Sequence, residues 1–256
     1  MPNLNNAQIR YLLTLPPEEI VRWYEGKGYR FSWNWKDTWQ DAHTRSFTVA
    51  KVMKLDILQS IKNEVDKIFK SGITYEQFYR ELEPTLKRLG WWGKVKAKDV
   101  PGYKPRPGLD PDKMVQLGSP NRLKTIYQVN ANVAYNTGRY NFFMQNTTSR
   151  PYWKYHQIER PTYRKEHKPF DNKVFRFDDP IWKIINPPNG WMCGCYITAH
   201  TLDEIKGQGI KVSKGKDFMK FVKDGIPEEW QYNPAENYAA WLPDLKKYDK
   251  DIKSNF

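Results

Sequence analysis

The chain has 256 residues, a formal net charge of +13 from 42 lysines and arginines against 29 acidic groups, and 15% aromatic residues. A chain this long can bury a core without disulfide staples, and no apolar run reaches the roughly 18–20 residues that a bilayer-spanning helix needs. The basic balance favours polyanionic partners, nucleic acid first, although the positive residues are spread along the chain and not gathered into one arm.

The opening stretch, MPNLNNAQIR, lacks the charged-then-apolar pattern of a signal peptide. The expectation is a soluble, non-secreted protein with reduced thiols. Residues 16–28, PPEEIVRWYEGKG, read as a proline-started helix ended by glycine, with Glu18 and Glu19 in its first turn. Trp33, Trp35 and Trp39 follow, and a tryptophan stripe of this kind is expected in a core. From about Asp41 to Ser71, the residues Phe47, Ala50, Leu58, Ile61, Val65 and Ile68 fall mostly three or four apart. That spacing predicts one helix, ended by Gly72. Thr74 and Gln77 predict a capping box for a second helix built on Phe78, Leu82, Leu86 and Leu89. Pro84 is expected to kink or split it.

Residues 93–121 hold Pro101, Pro105, Pro107, Pro111 and Pro120 among glycines and lysines. They read as a linker with no element of its own. Lys94, Lys96, Lys98 and Lys104 are its candidate DNA contacts, through backbone phosphates; a solvated basic loop is the equal alternative. Ser119 to Arg122 opens a helix reaching about Gln145, with Ile126, Val129, Val133, Tyr140 and Met144 on one face and Gly138 allowing close packing. After Ser149, RPYWKYHQI, NKVFRFDDP and CYITAHT have strand character. The fold class expected is α+β. A mainly helical region covers 1–92, the linker 93–121, a connecting helix 122–148, a β-containing module 149–242 and a polar tail 243–256.

Cys193 and Cys195 are the only cysteines, one residue apart in the string IINPPNGWMCGC. A Cys-x-Cys disulfide closes a tight, strained ring. That leaves a metal site, a redox pair or a packed corner with incidental thiols. His167 with Cys193 and Cys195 forms a zinc-capable set, and His156, His200, Asp171 and Asp178 are further candidates for it. The spacing is not that of paired Cys-x-x-Cys knuckles, so buried reduced thiols beside a hydrogen-bonded histidine stand as the alternative. Tyr163, Arg164, Glu166 and His167 could be drawn as an acid–base centre with a cation for phosphate, or as an ordinary solvated turn. The chain has no phosphate-binding glycine loop, no His-Glu-x-x-His and no nucleophile elbow. No enzyme activity and no catalytic residue are therefore expected.

The ordered string from Arg164 to Cys195 resembles the phage Mu F-like minor head proteins, the phage head morphogenesis family. It carries an Arg-x-x-His element (Arg164, His167), then Asp178-Asp179-Pro180 with Trp182. Pro187-Pro188-Asn189-Gly190-Trp191 and the pair Cys193 and Cys195 complete it. The helical segments before this string and the stretch WQYNPAENYAAWLP after it are also similar to that family, so the likeness covers nearly the whole chain. There are departures. Glu159-Arg160 stands ahead of the Arg-x-x-His element, Gly194 replaces a longer polar residue, and Asn172 stands in a glycine place, where asparagine tolerates a left-handed backbone. The prolines are expected to stiffen the approach to the corner, Asn189-Gly190 to turn it, and Trp191 to plug the core.

The resemblance implies a low-copy structural component of a tailed-phage or prophage head. It would act with the portal protein and other head proteins in head morphogenesis and DNA packaging, with double-stranded DNA as a further contact. It would sit inside the virion or procapsid near the portal vertex, after assembly in the host cytoplasm. No membrane, small-molecule substrate or cofactor is expected, zinc at the cysteine corner excepted. The rival readings are a nuclease or toxin-like enzyme on the same module, using Arg164 and His167, and a zinc-clipped nucleic-acid-binding module.

Overall fold

The computed structural model describes Tyr24 and residues 27–34, 46–158 and 163–239. Most of the expected helix over 16–28, as well as Trp35, Trp39, Glu159, Arg160 and the tail 243–256, lies outside these residues. The chain divides into two compact units, one containing Val21–Tyr127 and the other Gln128–Glu236.

In the first unit β1 (Gly28–Tyr29) runs parallel to β2 (Ser46–Phe47). This corrects the expected helix from Asp41. Phe47 sits on a strand with its ring 5.8 Å from Tyr24, and Lys51 adopts a left-handed φ of 64°. That conformation breaks a helix ahead of Leu55. Helix α1 is Leu55–Ser71, burying Ile57, Leu58, Ile61, Val65 and Ile68, and the Gly72 N–H closes it on the Ile68 carbonyl. Helix α2 is Tyr75–Arg88, and its capping box forms as expected. The Gln77 N–H donates to Thr74 Oγ1 at 3.3 Å, and the Thr74 N–H donates to Gln77 Oε1 at 2.8 Å. Pro84 does not split α2. Its missing N–H removes one helical bond, while Phe78, Leu82 and Leu86 keep the buried face intact.

Residues 93–121 are not free of elements. Strands β3 (Lys94–Lys96) and β4 (Met114–Gln116) pair antiparallel, with Val95 opposite Val115. The pairing is also pinned by side-chain bonds to backbone carbonyls. Gln116 Nε2 donates to the Gly93 carbonyl at 2.9 Å, and the Arg122 guanidinium donates to the carbonyls of Gln116 (2.8 Å) and Ala50 (2.7 Å). The Val95–Val115 pair and a half-buried arginine outweigh the prolines here.

Helix α3 (Pro120–Gln145) contains the boundary between the units. Val129, Val133 and Tyr140 are buried as expected, but Met144 is 42% exposed. Phe143 takes the inward place at that end, its ring 6.0 Å from Trp153.

The second unit is built on a three-stranded antiparallel sheet. Strand β5 (Tyr152–His156) lies at its centre, flanked by β6 (Val174–Arg176) and, after the short helix α4 (Trp182–Ile185), by β7 (Tyr196–His200). Helices α5 (Leu202–Gly207), α6 (Met219–Gly225) and α7 (Pro234–Ala239) follow. Trp153, Phe175 and Trp182 are fully buried and meet ring to ring. The fold is α+β.

Candidate functional site

The Asp-Asp-Pro-x-Trp element folds into a staple. Asp178 stays at the surface, 3.4 Å from Arg176. Asp179 turns inward: Oδ1 accepts from the Ile181 N–H at 3.0 Å and Oδ2 from the Gly215 N–H at 2.8 Å. A Cβ at Gly215 would collide with that carboxylate and with Ile181, so the approach needs glycine. Pro180 is exposed ahead of α4. The Trp182 indole then fills the core, and its Nε1–H donates to the Arg176 carbonyl at 3.0 Å.

The cysteine corner begins at Pro187 and Pro188, both buried and joined by a cis bond. Asn189 is 0% exposed. Its Oδ1 accepts from the Tyr155 hydroxyl at 2.9 Å, and its Nδ2 donates to the Ile184 carbonyl at 3.4 Å. Gly190 has φ 156°, and a Cβ there would press on the Arg164 guanidinium. That guanidinium donates to the Trp191 carbonyl at 3.0 Å. Trp191 is half-buried, edge-on to Trp230 at 5.3 Å. This corrects the expectation that Trp191 plugs the core. The turn directs Asn189 inward to meet Tyr155 and leaves the indole at the margin. Met192 continues the turn with a left-handed φ of 59°, and the Cys193 carbonyl accepts from Asn132 Nδ2 of α3 at 2.8 Å.

The Arg-x-x-His element meets this corner with both of its named residues. Arg164 holds the Trp191 carbonyl. His167, in the 3-10 turn Lys165–Phe170 and 1% exposed, aims Nδ1 at Cys195 Sγ (3.5 Å) and Cys193 Sγ (3.8 Å). The three donor atoms lie within 4.8 Å of one another, and neither cysteine forms a disulfide. The Cys193 thiol is held well below its usual range by a hydrogen bond with Cys195 and by His167, against burial, which pushes it up. Burial raises the Tyr155 hydroxyl well above its ordinary value, and the neighbouring thiols add to the rise. The sequence grouped His167 with Cys193 and Cys195, and these meet. It gave no sign of Tyr155 or Asn132 as groups that hold the corner. The buried Asn189 was placed only as a turn residue.

The remaining candidates are engaged elsewhere. His156 and His200 both reach the Thr198 hydroxyl at 2.7 Å, and His156 stacks on Tyr196 at 4.7 Å. Asp171 accepts from the Gln157 N–H at 2.9 Å and from Lys168 at 3.1 Å. None of these, nor Asp178, joins the His167 cluster. The acid–base centre drawn from Tyr163, Arg164, Glu166 and His167 does not assemble. Tyr163 is 37% exposed and Glu166 is exposed, whereas His167 faces sulfur in the interior. On the first unit Lys94 and Lys104 are exposed, while Lys96 and Lys98 share Asp112 at 3.1 and 2.8 Å.

Fold and site together define an α+β module whose motif residues serve chiefly to fasten one another, closing two distant stretches of chain around a buried thiol corner. Residues 59–198 match the family described as Phage Mu protein F like protein, and the chain belongs to that family. It is 42% identical over 211 residues, 82% of its length, to the "Putative capsid assembly protein F" of Escherichia phage Mu, covering 46% of that protein. It is 38% identical over 189 residues, 74% of its length, to the "Mu-like prophage FluMu F protein" of Haemophilus influenzae, covering 43% of it. The chain thus spans about half the length of the curated relatives it matches. No solved structure matches it.

Proposed function

We propose that this chain is a minor head component of a tailed bacteriophage or prophage, acting in head morphogenesis with the portal protein and other head proteins. The observation that carries the reading is the family match over residues 59–198, which takes in the Arg-x-x-His element and the cysteine corner. The phage Mu relative's name points to capsid assembly. The role is structural and not enzymatic. His167 and Arg164, the residues a nuclease reading would need, are spent on the cysteine corner. Its place is the procapsid or virion interior near the portal vertex. Double-stranded DNA is a further contact, through the exposed lysines of β3 and the turn after it.

The test is mass spectrometry of purified procapsids made with and without the portal protein. The chain is expected at low copy in the first and absent from the second. Absence from both preparations overturns the reading, and equal amounts in both overturn the portal contact.

A further inference from the structure

We propose that His167 Nδ1, Cys193 Sγ and Cys195 Sγ bind one zinc ion, which clips the 3-10 turn Lys165–Phe170 to the corner ahead of β7. The inference is independent of the head-assembly reading and rests on three observations.

The first is valence. Both sulfurs approach the same ring nitrogen, at 3.5 and 3.8 Å. An imidazole nitrogen has either one hydrogen to donate or one lone pair to accept with. It can therefore pair with only one of the two thiols, leaving the other to its neighbouring sulfur, although both sulfurs converge on it. A cation between the three atoms serves all of them at once.

The second is distance. Zinc bonds of about 2.3 Å to sulfur and 2.0–2.1 Å to nitrogen, in a tetrahedron, place ligand sulfur and nitrogen about 3.6 Å apart. The observed separations bracket that value. The third is the donor chemistry. Two sulfurs and an imidazole, buried with no carboxylate in the cluster, suit zinc and not magnesium or calcium. His167 Nε2 is buried and has no hydrogen-bond partner among the described residues, so the ring is oriented through its Nδ1 side alone. These three donors leave one position of the tetrahedron for a further ligand.

Binding converts both thiols to thiolates, releasing a proton to solvent for each thiol that was protonated. The ion then ties residues 167, 193 and 195 into one closed loop, as structural zinc sites do. The likeness to paired knuckles stops there, because one corner supplies both sulfurs and a separate turn supplies the nitrogen.

The full chain, purified under reducing conditions, is expected to carry about one equivalent of zinc by elemental analysis, and His167→Asn or Cys195→Ser to retain less than about a tenth of that. If a variant fails to fold, the wild-type chain is stripped with chelator and titrated with cobalt alone. A thiolate-to-cobalt charge-transfer band that saturates at about one equivalent supports the site. Zinc-free wild-type protein whose two thiols react freely with a disulfide reagent, equally with and without added zinc, overturns it. So does a cobalt titration without the band.

Discussion

The two units hold together by different means. In the first, cohesion comes from apolar helix faces and from long side chains that reach backbone carbonyls. Leu58, Ile61 and Val65 of α1 and Leu82 and Leu86 of α2 are buried, the Trp91 Nε1–H donates to the Lys51 carbonyl, and Arg122 packs over the Trp91 ring at 4.7 Å. In the second, buried and half-buried polar groups are set into an aromatic core: Asn189 on Tyr155, the half-buried Asp179 on two N–H groups, His167 on two sulfurs. An apolar face loses stability in proportion to the area removed, whereas a buried polar group that loses its partner keeps its full desolvation cost. The second unit should therefore be the more sensitive to changes of one or two atoms.

The largest effect expected is from Trp182→Ala, about 3–5 kcal/mol measured by urea denaturation, because the ring is fully buried between Trp153 and Phe175. A loss under about 1 kcal/mol would remove Trp182 as the staple of its unit.

Acid should come next, and it should act on the second unit. Burial, with a smaller push from Lys154, lowers His156 from 6.5 to about 4, and burial lowers His200 in the same direction. Below pH 6.5 the unfolded chain takes up protons that the folded chain refuses. Stability is thus complete above pH 6.5 and falls as pH drops toward 4, by up to about 1.4 kcal/mol per pH unit for one histidine. The double variant His156→Gln and His200→Gln should flatten that slope; an unchanged slope would place the acid sensitivity elsewhere.

A smaller effect sharpens the contrast directly. Tyr155→Phe leaves Asn189 Oδ1 buried without its donor and should cost about 1–3 kcal/mol. In the first unit, Tyr75→Phe deletes an exposed bond to the Pro120 carbonyl and should change stability by less than about 0.5 kcal/mol. Equal costs in thermal melts would erase the distinction between the units. The smallest effect on folding is expected from replacing Lys94, Lys96, Lys98 and Lys104 with Gln. These surface changes should leave the melting temperature in place. They should flatten the salt dependence of DNA affinity, by about 0.9 in logarithmic slope for each phosphate no longer neutralised. An unchanged slope would take these lysines out of the DNA interface.

Much of this was legible in the sequence. Thr74 and Gln77 announce their capping box, the alternation around Trp153 and Phe175 announces the strands, and Asn172 takes the left-handed conformation (φ 59°) that its glycine place demands. The failures have a common physical cause. Apolar spacing reports that residues are buried, not whether helix or strand buries them, so Phe47 was drawn into α1. Proline content hid the β3–β4 pairing because the arginine that pins it, Arg122, lies outside the stretch. The expectation that Trp191 plugs the core follows from its place in the Pro-Pro-Asn-Gly-Trp string, and it fails at the turn. Chain order does not reveal which way a side chain turns through Gly190 and Met192, and there the small Asn189 goes inward. The grouping of His167 with Cys193 and Cys195 follows from residue chemistry and is met in the structure, whereas the hold of Arg164 on the Trp191 carbonyl, a tertiary contact across 27 residues, lies beyond the reach of local pattern.

The central claim is that the Arg-x-x-His element and the cysteine corner form one structural lock. Hydrogen exchange on wild type and Arg164→Ala, followed by mass spectrometry, tests it most directly. In the wild type, residues 165–170 and 189–197 should exchange together. In the variant both stretches should lose protection while α1 and α2 keep theirs. Loss confined to residues 165–170, with the corner as protected as before, would contradict the account.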